Sequence, residues 1–420
     1  MRLSPVELQT RPAAPSTWAN GRLIALLVAV WLGESVFALS FVVRSWPDVV
    51  FSLDFTSFWS GASLLRDHVG SRLYDLGVQQ AFQVALRHEQ AVDSQIRELS
   101  GFMPYWNPPP LLLLFLPVSL LPTAWGYFAW LAVSVAAFAL SVSVPLKGVS
   151  QGRSKAVVLL TYMGVAGTLL EGQVNGILLL AFSLGLLALV SGRCFLGGLL
   201  LGTLWLKPQY ALLLPLLFVF KGRWRETAGM ISAGLLIGLT SLAMIGSDGV
   251  VRYLAALGQV GGYYAAPGSF ASPESMVNWR ALLQNLLPSL PEEAGSLMVW
   301  SLGIATALLS LLAWAGPWDA QSPQFPLRML VTVAAILVAS SHSHLHGTVL
   351  LLAPLTLVLA RCEKLPVSSR LWHSLLVSGY VLALVAWVFR GFSWLFVPYL
   401  VTFAAVLVFG LRTSDPEVGQ

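Results

Sequence analysis

Long apolar runs separated by short polar connections make up almost the whole sequence. A helix needs about 17 to 25 apolar residues to cross the hydrocarbon core of a bilayer, because each residue adds about 1.5 Å of rise. Such runs recur from Leu23 to Leu411. The pattern predicts an all-α polytopic membrane protein with one transmembrane domain, residues 23–411, between cytoplasmic tails at 1–22 and 412–420.

The apolar runs predict a bundle of about 12 transmembrane helices. The first run, 23–43, is longer than the core of a signal peptide, which favours a retained helix. The run from Pro109 to Leu121 is short for a span and is interpreted as a re-entrant or surface segment. The other predicted spans are 123–144, 155–170, 174–191, 195–208, 210–220, 227–246, 296–315, 326–342, 346–361, 371–389 and 394–411.

The basic residues predict the orientation of the bundle. If residues 109–121 do not span, the clusters around Lys147, Lys221 and Arg361 all fall on the cytoplasmic side, as the positive-inside rule favours. The same topology puts four polar regions on the outer face. They are the long loop 45–107, with amphipathic helices at 78–99, the turn 171–176, the second loop 247–295 and the histidine cluster 342–346.

Composition supports lipid as the solvent and excludes several classes of protein. The chain is 56% hydrophobic and 10% charged, against roughly 25% charged residues in soluble domains. Its net charge of +5 comes from short loops and indicates no nucleic-acid partner. Neither a P-loop nor a strand-embedded glycine motif is present, which argues against a nucleotide-sugar donor and an ATP-driven transporter.

Asp54 is the first candidate for chemistry, because this carboxylate follows the first span and stands among aromatic residues. A positioned carboxylate can act as a general base on a hydroxyl. The alternative is an ordinary helix N-cap, since Asp before Thr56 and Ser57 is typical of a helix start. The residues alone favour the cap.

Polar residues between apolar runs are further candidates, since polar groups at membrane depth are expensive unless they line a cavity. Lys207 precedes Pro208 near the predicted outer interface, where an ammonium can pair with a lipid phosphate or simply snorkel to the headgroups. Glu34, in the middle of the first span, is an intramembrane carboxylate. The candidate phosphate-binding residues are Lys207, Gln209, Tyr105, Asn107, Gln173 and Asn175.

His342, His344 and His346 stand at the outer end of a predicted span. No carboxylate or cysteine is close to them in sequence, so hydrogen bonds to a sugar or a phosphate are favoured over a metal site. A histidine near Asp54 could also orient it or share its proton. No metal and no cofactor is predicted. The predicted acceptor side consists of Tyr263, Tyr264, Glu274, Asn278 and His342, in and beside the loop segments 261–268 and 272–280, which are interpreted as a lid.

The order of these motifs resembles glycosyltransferase family 87, whose members are membrane-embedded enzymes of the GT-C type. The resemblance rests on Asp54-Phe55 with Phe58-Trp59, Tyr74, the turn Tyr105 to Pro110, Gly172-Gln173 with Asn175, and Gly197 to Gly202 before Lys207-Pro208. It covers about residues 20 to 360.

The resemblance implies a polyprenyl-phosphate sugar donor such as the mannose derivative, a lipid or glycan acceptor, and inversion at the anomeric carbon. It implies that the site faces outward from the cytoplasmic membrane. Asp54 would be the general base, Lys207 a ligand of the donor phosphate, and His344 or His346 the polar residue at a late helix end. The chain has Gly347 where relatives often carry an acidic residue.

Two alternatives stay open on the sequence. One is a GT-C enzyme that transfers a pentose such as arabinose. The other is a lipid or glycan transporter (a flippase), whose expected signature is an inverted repeat with paired broken helices. The sequence shows no convincing internal repeat.

Overall fold

The computed structural model describes residues 48–90, 101–265, 275–362 and 365–413, together with a few isolated positions between 29 and 46. Backbone alone is described for 260–265 and for 390. Within these ranges the protein is helical, and its one β-feature is an isolated antiparallel bridge between Met276 and His344. The predicted all-α class is confirmed. Most of the predicted first span, including Glu34, lies outside the described residues.

Sixteen α-helices cover most of the described chain. They are α1 (Phe55–Arg66), α2 (Leu76–Glu89), α3 (Thr123–Ser143), α4 (Gly152–Leu160), α5 (Met163–Glu171), α6 (Asn175–Val190), α7 (Cys194–Leu201), α8 (Pro208–Ala211), α9 (Leu213–Phe220), α10 (Trp224–Ala265), α11 (Trp279–Leu286), α12 (Glu292–Leu311), α13 (Phe325–Ala339), α14 (Leu352–Arg361), α15 (Ser369–Val388) and α16 (Phe396–Thr413). The 3-10 helices are Asp48–Ser52, Gly70–Arg72, Pro109–Leu114, Val118–Leu120, Gly202–Leu206, Leu312–Trp314, Leu345–Leu351 and Arg390–Leu395.

Five helical segments in the described ranges have the length and apolar composition needed to cross a membrane. They are Thr123–Ser143, Trp224–Gln259, Glu292–Trp314, Ser369–Val388 and Gly391–Thr413. Five shorter apolar segments accompany them, at Asn175–Val190, Cys194–Leu206, Pro208–Phe220, Phe325–Ala339 and Leu345–Arg361. The chain is therefore a helical membrane protein, and the count of about 12 spans stays a prediction.

One predicted span is broken in the structure, and two neighbouring ones are separated by a break. The predicted span 155–170 forms two helices, α4 and α5, and the predicted spans 195–208 and 210–220 are separated at Lys207 and Pro208. Proline has no backbone N–H to continue a helical ladder, which accounts for the second break. The segment Pro109–Leu121 contains two short 3-10 helices instead of one long helix. These breaks bring polar residues into the interior of the bundle.

The first part of the predicted second outer loop, 247–295, is helical and continues α10. Helix α10 runs for 42 residues and changes direction at Gly246, whose φ of 70° and ψ of 177° are not helical. Next to this kink the helix packs on the 3-10 helix Gly70–Arg72. A Cβ at Gly70 would lie 2.8 Å from the carbonyl oxygen of Met244, so the close approach requires glycine there.

Helix α2 holds the segment 101–105 by a ladder of side chains, which we call the glutamine ladder. Gln79, Gln83 and Arg87 are buried and stand one turn apart on one face of the helix. The Gln83 amide donates to the Met103 carbonyl at 2.7 Å and accepts from the Met103 N–H at 3.1 Å. Gln79 makes the same pair of bonds with Tyr105, and Arg87 donates to the Gly101 carbonyl. The ladder fixes where the chain enters the turn at Pro108.

Candidate active site

Asp54 precedes α1, but its side chain makes no capping hydrogen bond to that helix. The half-buried carboxylate accepts a hydrogen bond from the side-chain amide of Gln173 instead. The interpretation as an ordinary side-chain N-cap is therefore wrong. A cap would satisfy the first turn of the helix, whereas this carboxylate is directed toward the interior of the bundle.

A left-handed glycine places Gln173 beside Asp54. Helix α5 ends at Glu171, and Gly172 follows with φ 65° and ψ 31°. The Gly172 and Gln173 N–H groups return to the carbonyls of Leu169 and Thr168, which is the Schellman pattern of a helix end. A Cβ at Gly172 would lie 2.6 Å from the Cβ of Phe55. The turn and the start of α1 therefore fit together only around glycine at this position.

Lys207 completes the arrangement from the break between two short helices. Its side chain is 5% exposed, and Nζ donates to Oε1 of Gln173 at 2.7 Å and to Oδ1 of Asn175 at 3.0 Å. An ammonium has three N–H donors and no acceptor, so Oε1 of Gln173 must face the lysine and Nε2 must face Asp54. A buried cation is costly unless its donors are satisfied, and here two amides provide acceptors.

Asn175 ties this network to the histidine cluster. Its Nδ2 donates to the carbonyl oxygen of His346 at 2.9 Å, and the Thr168 hydroxyl donates to the same oxygen at 3.3 Å. One chain of hydrogen bonds thus runs from Asp54 through Gln173, Lys207 and Asn175 to the backbone of His346. It joins four segments that are far apart in sequence, and we call it the Asp54–Lys207 chain.

The three histidines lie side by side. Ring centroids are 4.6 Å apart for His342 and His344, and 5.5 Å apart for His344 and His346. Their loop is held by the Met276 bridge and by a 2.7 Å hydrogen bond from the Val277 N–H to the Ser343 carbonyl. In the described residues no group of His, Cys, Asp or Glu is placed to hold a metal ion.

A solvent-open cavity lies beside the Asp54–Lys207 chain. It combines two carboxylates, two imidazoles, an indole and two hydroxyls, a mixture suited to a polyhydroxylated ligand. The residues that line it are Asp54, Met103, Glu171, Ser275, His344, Leu345, His346, Ala386, Trp387 and Ser393. Asp54 thus has the Asp54–Lys207 chain on one side and accessible space on the other.

Tyr105 and Asn107 have structural contacts in the described residues. The Tyr105 hydroxyl donates to the Pro108 carbonyl, and the Tyr74 hydroxyl donates to the Asn107 carbonyl. Burial raises the pKa of Tyr105 and of Tyr74 well above the usual value, so both phenols stay protonated donors. Gln209 is half-buried on α8, next to Lys207 in the chain.

The predicted acceptor-side residues are dispersed or lie beyond what is described. Asn278 is buried and caps α11, and its Nδ2 donates to the Ser340 carbonyl at 3.0 Å. Tyr263 and Tyr264 belong to the last turn of α10, where only the backbone is described. Glu274 lies outside the described residues. The structure leaves their assignment to the acceptor as a prediction.

Four cavity residues had no predicted role: Met103, Ala386, Trp387 and Ser393. Glu171, which also lines the cavity, belongs to the predicted polar turn 171–176. It was recognisable in the sequence as a carboxylate between two apolar runs. Trp387 is one of 16 tryptophans in an apolar chain. Nothing in the local sequence separates it from a tryptophan that anchors a helix at the membrane interface.

The site belongs to a membrane-embedded protein, since helices of membrane-spanning length and composition carry it. The sequence signature of glycosyltransferase family 87 matches residues 105–341, more than half of the 420-residue chain. The chain therefore belongs to glycosyltransferase family 87 and is a glycosyltransferase, which confirms the resemblance found in the sequence. No curated protein and no solved structure matches the chain. Gln173, Asn175 and Lys207 lie inside the matched segment, while Asp54 lies before it.

Proposed function

We propose that the protein moves a sugar, mannose in the first instance, from a polyprenyl-phosphate donor to a hydroxyl of a lipid or glycan acceptor. The observation that carries this proposal is the Asp54–Lys207 chain. It holds a carboxylate at an open cavity and an ammonium one amide further in. Transfer of a glycosyl group needs a base for the incoming hydroxyl and positive charge for the leaving phosphate.

Asp54 serves as the general base. Its carboxylate lines the cavity, where it can accept the proton of an acceptor hydroxyl as that oxygen forms the new bond to the anomeric carbon. The bond from this carbon to the phosphate oxygen breaks on the opposite face. The configuration at the anomeric carbon is inverted, and the lipid phosphate leaves as an anion.

Lys207 stabilises that anion. Among the described residues its hydrogen-bond partners are Gln173 and Asn175, which use two of its three N–H donors. The third donor is available to a phosphate oxygen. Positive charge fixed in a water-poor interior stabilises a developing anion far more than it would in bulk water, since the local dielectric constant is low.

Gln173 keeps the base and the cation apart. The amide accepts from the ammonium and donates to the carboxylate, so both charged groups are held without forming a direct ion pair. A direct pair would engage the carboxylate oxygen that must take a proton and the N–H that must meet the phosphate. The neutral spacer therefore leaves both groups available for substrate.

Charge at the far ends of the same helices supports an outward-facing site. Asn175 begins α6, which is followed by Arg193, and Lys207 precedes the two short helices that end at Lys221. Basic residues concentrate on the cytoplasmic side of membrane helices. By this rule the polar ends face away from the cytoplasm, so that a lipid donor enters from the outer leaflet of the cytoplasmic membrane.

The test is transfer of radiolabelled sugar in proteoliposomes. Wild-type protein should move label from polyprenyl-phosphate mannose into an acceptor fraction, and Asp54→Asn should reduce the rate about 10²- to 10⁴-fold, the usual contribution of a general base. Asp67→Asn is the matched control, because Asp67 follows α1 at its other end, where it is exposed and paired with Arg66. Turnover by Asp54→Asn equal to that of Asp67→Asn would rule out Asp54 as the base. Label moved from an arabinose donor and not from mannose would favour a pentosyltransferase.

A further inference from the structure

One wall of the cavity beside Asp54 is formed by the end of α15 and the 3-10 helix that follows it. This wall contributes Ala386, Trp387 and Ser393. All three lie beyond the segment 105–341 that matches the family, so the family match assigns none of them.

The indole of Trp387 is supported from α5. A Cβ at Gly167 would lie 3.0 Å from Cζ3 and 3.4 Å from Cε3 of this tryptophan, so the six-membered ring packs directly on the glycine backbone. Gly167 and Glu171 are four residues apart in α5 and therefore share one face of that helix. The indole of α15 therefore packs on α5 one turn before Glu171, and both residues line the cavity.

We propose that Trp387, Glu171 and Ser393 form a subsite for a sugar ring of the acceptor. This subsite rests on the proposed function and narrows the class of acceptor. The acceptor would be a glycolipid or a glycan and not a protein side chain. A pyranose has a face of C–H groups and a rim of hydroxyls. The electron-rich face of an indole attracts the C–H groups, and a carboxylate and a hydroxyl serve the rim as hydrogen-bond acceptor and donor.

Position assigns this subsite to the acceptor and not to the donor. Trp387 and Asp54 line the same open cavity, whereas Lys207 is buried on the other side of Gln173 and is not among the lining residues. In an in-line displacement the incoming hydroxyl and the leaving phosphate lie on opposite sides of the anomeric carbon. The group next to Asp54 and remote from Lys207 is therefore the acceptor.

The test is saturation-transfer NMR with methyl glycosides of mannose, glucose and galactose on Asp54→Asn protein in nanodiscs. The inactive variant makes binding independent of transfer, so failure of the proposed reaction and failure of this subsite are separable. At least one glycoside should receive saturation on its ring protons. Trp387→Leu should lower the affinity for that glycoside about tenfold, which corresponds to about 1.4 kcal/mol of binding free energy. Glu171→Gln should weaken it as well, and Trp387→Phe should keep part of the affinity.

Trp300→Leu is the matched control, because Trp300 is 69% exposed on α12 and lines no part of the cavity. In the active protein, Trp387→Leu should raise KM for a glycoside acceptor about tenfold and leave KM for the donor unchanged, which general unfolding would not do. No saturation of any glycoside, or equal binding by Trp387→Leu and Trp300→Leu, would overturn the subsite. Displacement of the glycoside by polyprenyl-phosphate mannose would assign the indole to the donor sugar and overturn the acceptor role.

Discussion

Gln173 donates its side-chain amide to the carboxylate of Asp54, although 119 positions separate the two residues. The opposite end of the same amide accepts from Lys207. One neutral side chain therefore sets the orientation of both charged groups of the site. Its loss should affect the chemistry as well as the fold.

Replacement of Gln173 by Leu should lower kcat about ten- to a hundredfold. Hydrogen bonds to charged groups are worth about 1.5–3 kcal/mol, and each 1.36 kcal/mol changes a rate about tenfold. The measurement is the initial rate of sugar transfer at saturating donor. Gln90→Leu, at the exposed end of α2, makes the same chemical change away from the site. A Gln173→Leu enzyme as fast as Gln90→Leu would show that orientation by this amide is unimportant.

Replacement of Lys207 by Met should raise KM for the donor at least about tenfold, because the leaving phosphate loses its cation. KM for the acceptor should change far less. Steady-state kinetics with each substrate varied in turn separates the two. Lys147→Met removes an exposed lysine near the end of α3 and should leave both constants unchanged. Equal donor affinity in the two variants would reject the phosphate role.

Replacement of Gly172 by Ala should destabilise the protein by more than the same change at Gly192. Both glycines have positive φ, 65° and 73°, so alanine costs about 1–2 kcal/mol of backbone energy at either position. At Gly172 the new methyl group also meets the Cβ of Phe55 at 2.6 Å, whereas nothing lies within 4 Å at Gly192. Thermal unfolding in detergent measures the difference. Because Phe55 adjoins Asp54, transfer should fall in Gly172→Ala alone, and equal behaviour of the two variants would contradict this packing.

Replacement of Gln83 by Ala should lower the unfolding free energy by about 1–3 kcal/mol, the cost of leaving buried backbone polar groups unsatisfied. The residue bonds both the N–H and the carbonyl of Met103. Gln80→Ala, on the exposed face of the same helix, should change stability by less than about 0.5 kcal/mol. Chemical or thermal unfolding compares the two variants. Equal stability would mean that water replaces the glutamine ladder.

The helical membrane class and the family could both be predicted from the sequence, because both depend on patterns of residues that are close together along the chain. Runs of apolar residues predict membrane helices without knowledge of their partners. Lys207 and the turn with Gln173 and Asn175 were recognisable because polar residues stand out between apolar runs. The structure brings these three residues into direct contact.

The remaining features depend on packing between distant segments. On the residues alone Asp54 was favoured as a side-chain cap, because the partner that turns it inward, Gln173, is recruited from another helix end. The break of the run 155–170 and the helical continuation of α10 past Gly246 likewise follow from tertiary contacts that outweigh local preference. Trp387 carries no local signal at all, since tryptophan is expected throughout a membrane protein.

The glutamine ladder constrains the number of residues in α2 and in the segment 101–105 more strongly than it constrains which residues stand in that segment. Its side chains recur every four residues on α2, about 6 Å apart, and bond every second residue of the facing segment, about 6.6 Å apart. These two periods match only while both segments keep their residue count. One residue inserted between Met103 and Tyr105 would put the wrong backbone groups opposite Gln79 or Gln83. The side chain at the cavity edge would then turn away, as successive residues of an extended chain face opposite directions. Point substitutions at 101–105 are thus better tolerated than insertions or deletions there, and the entrance to the site keeps its shape through fixed spacing.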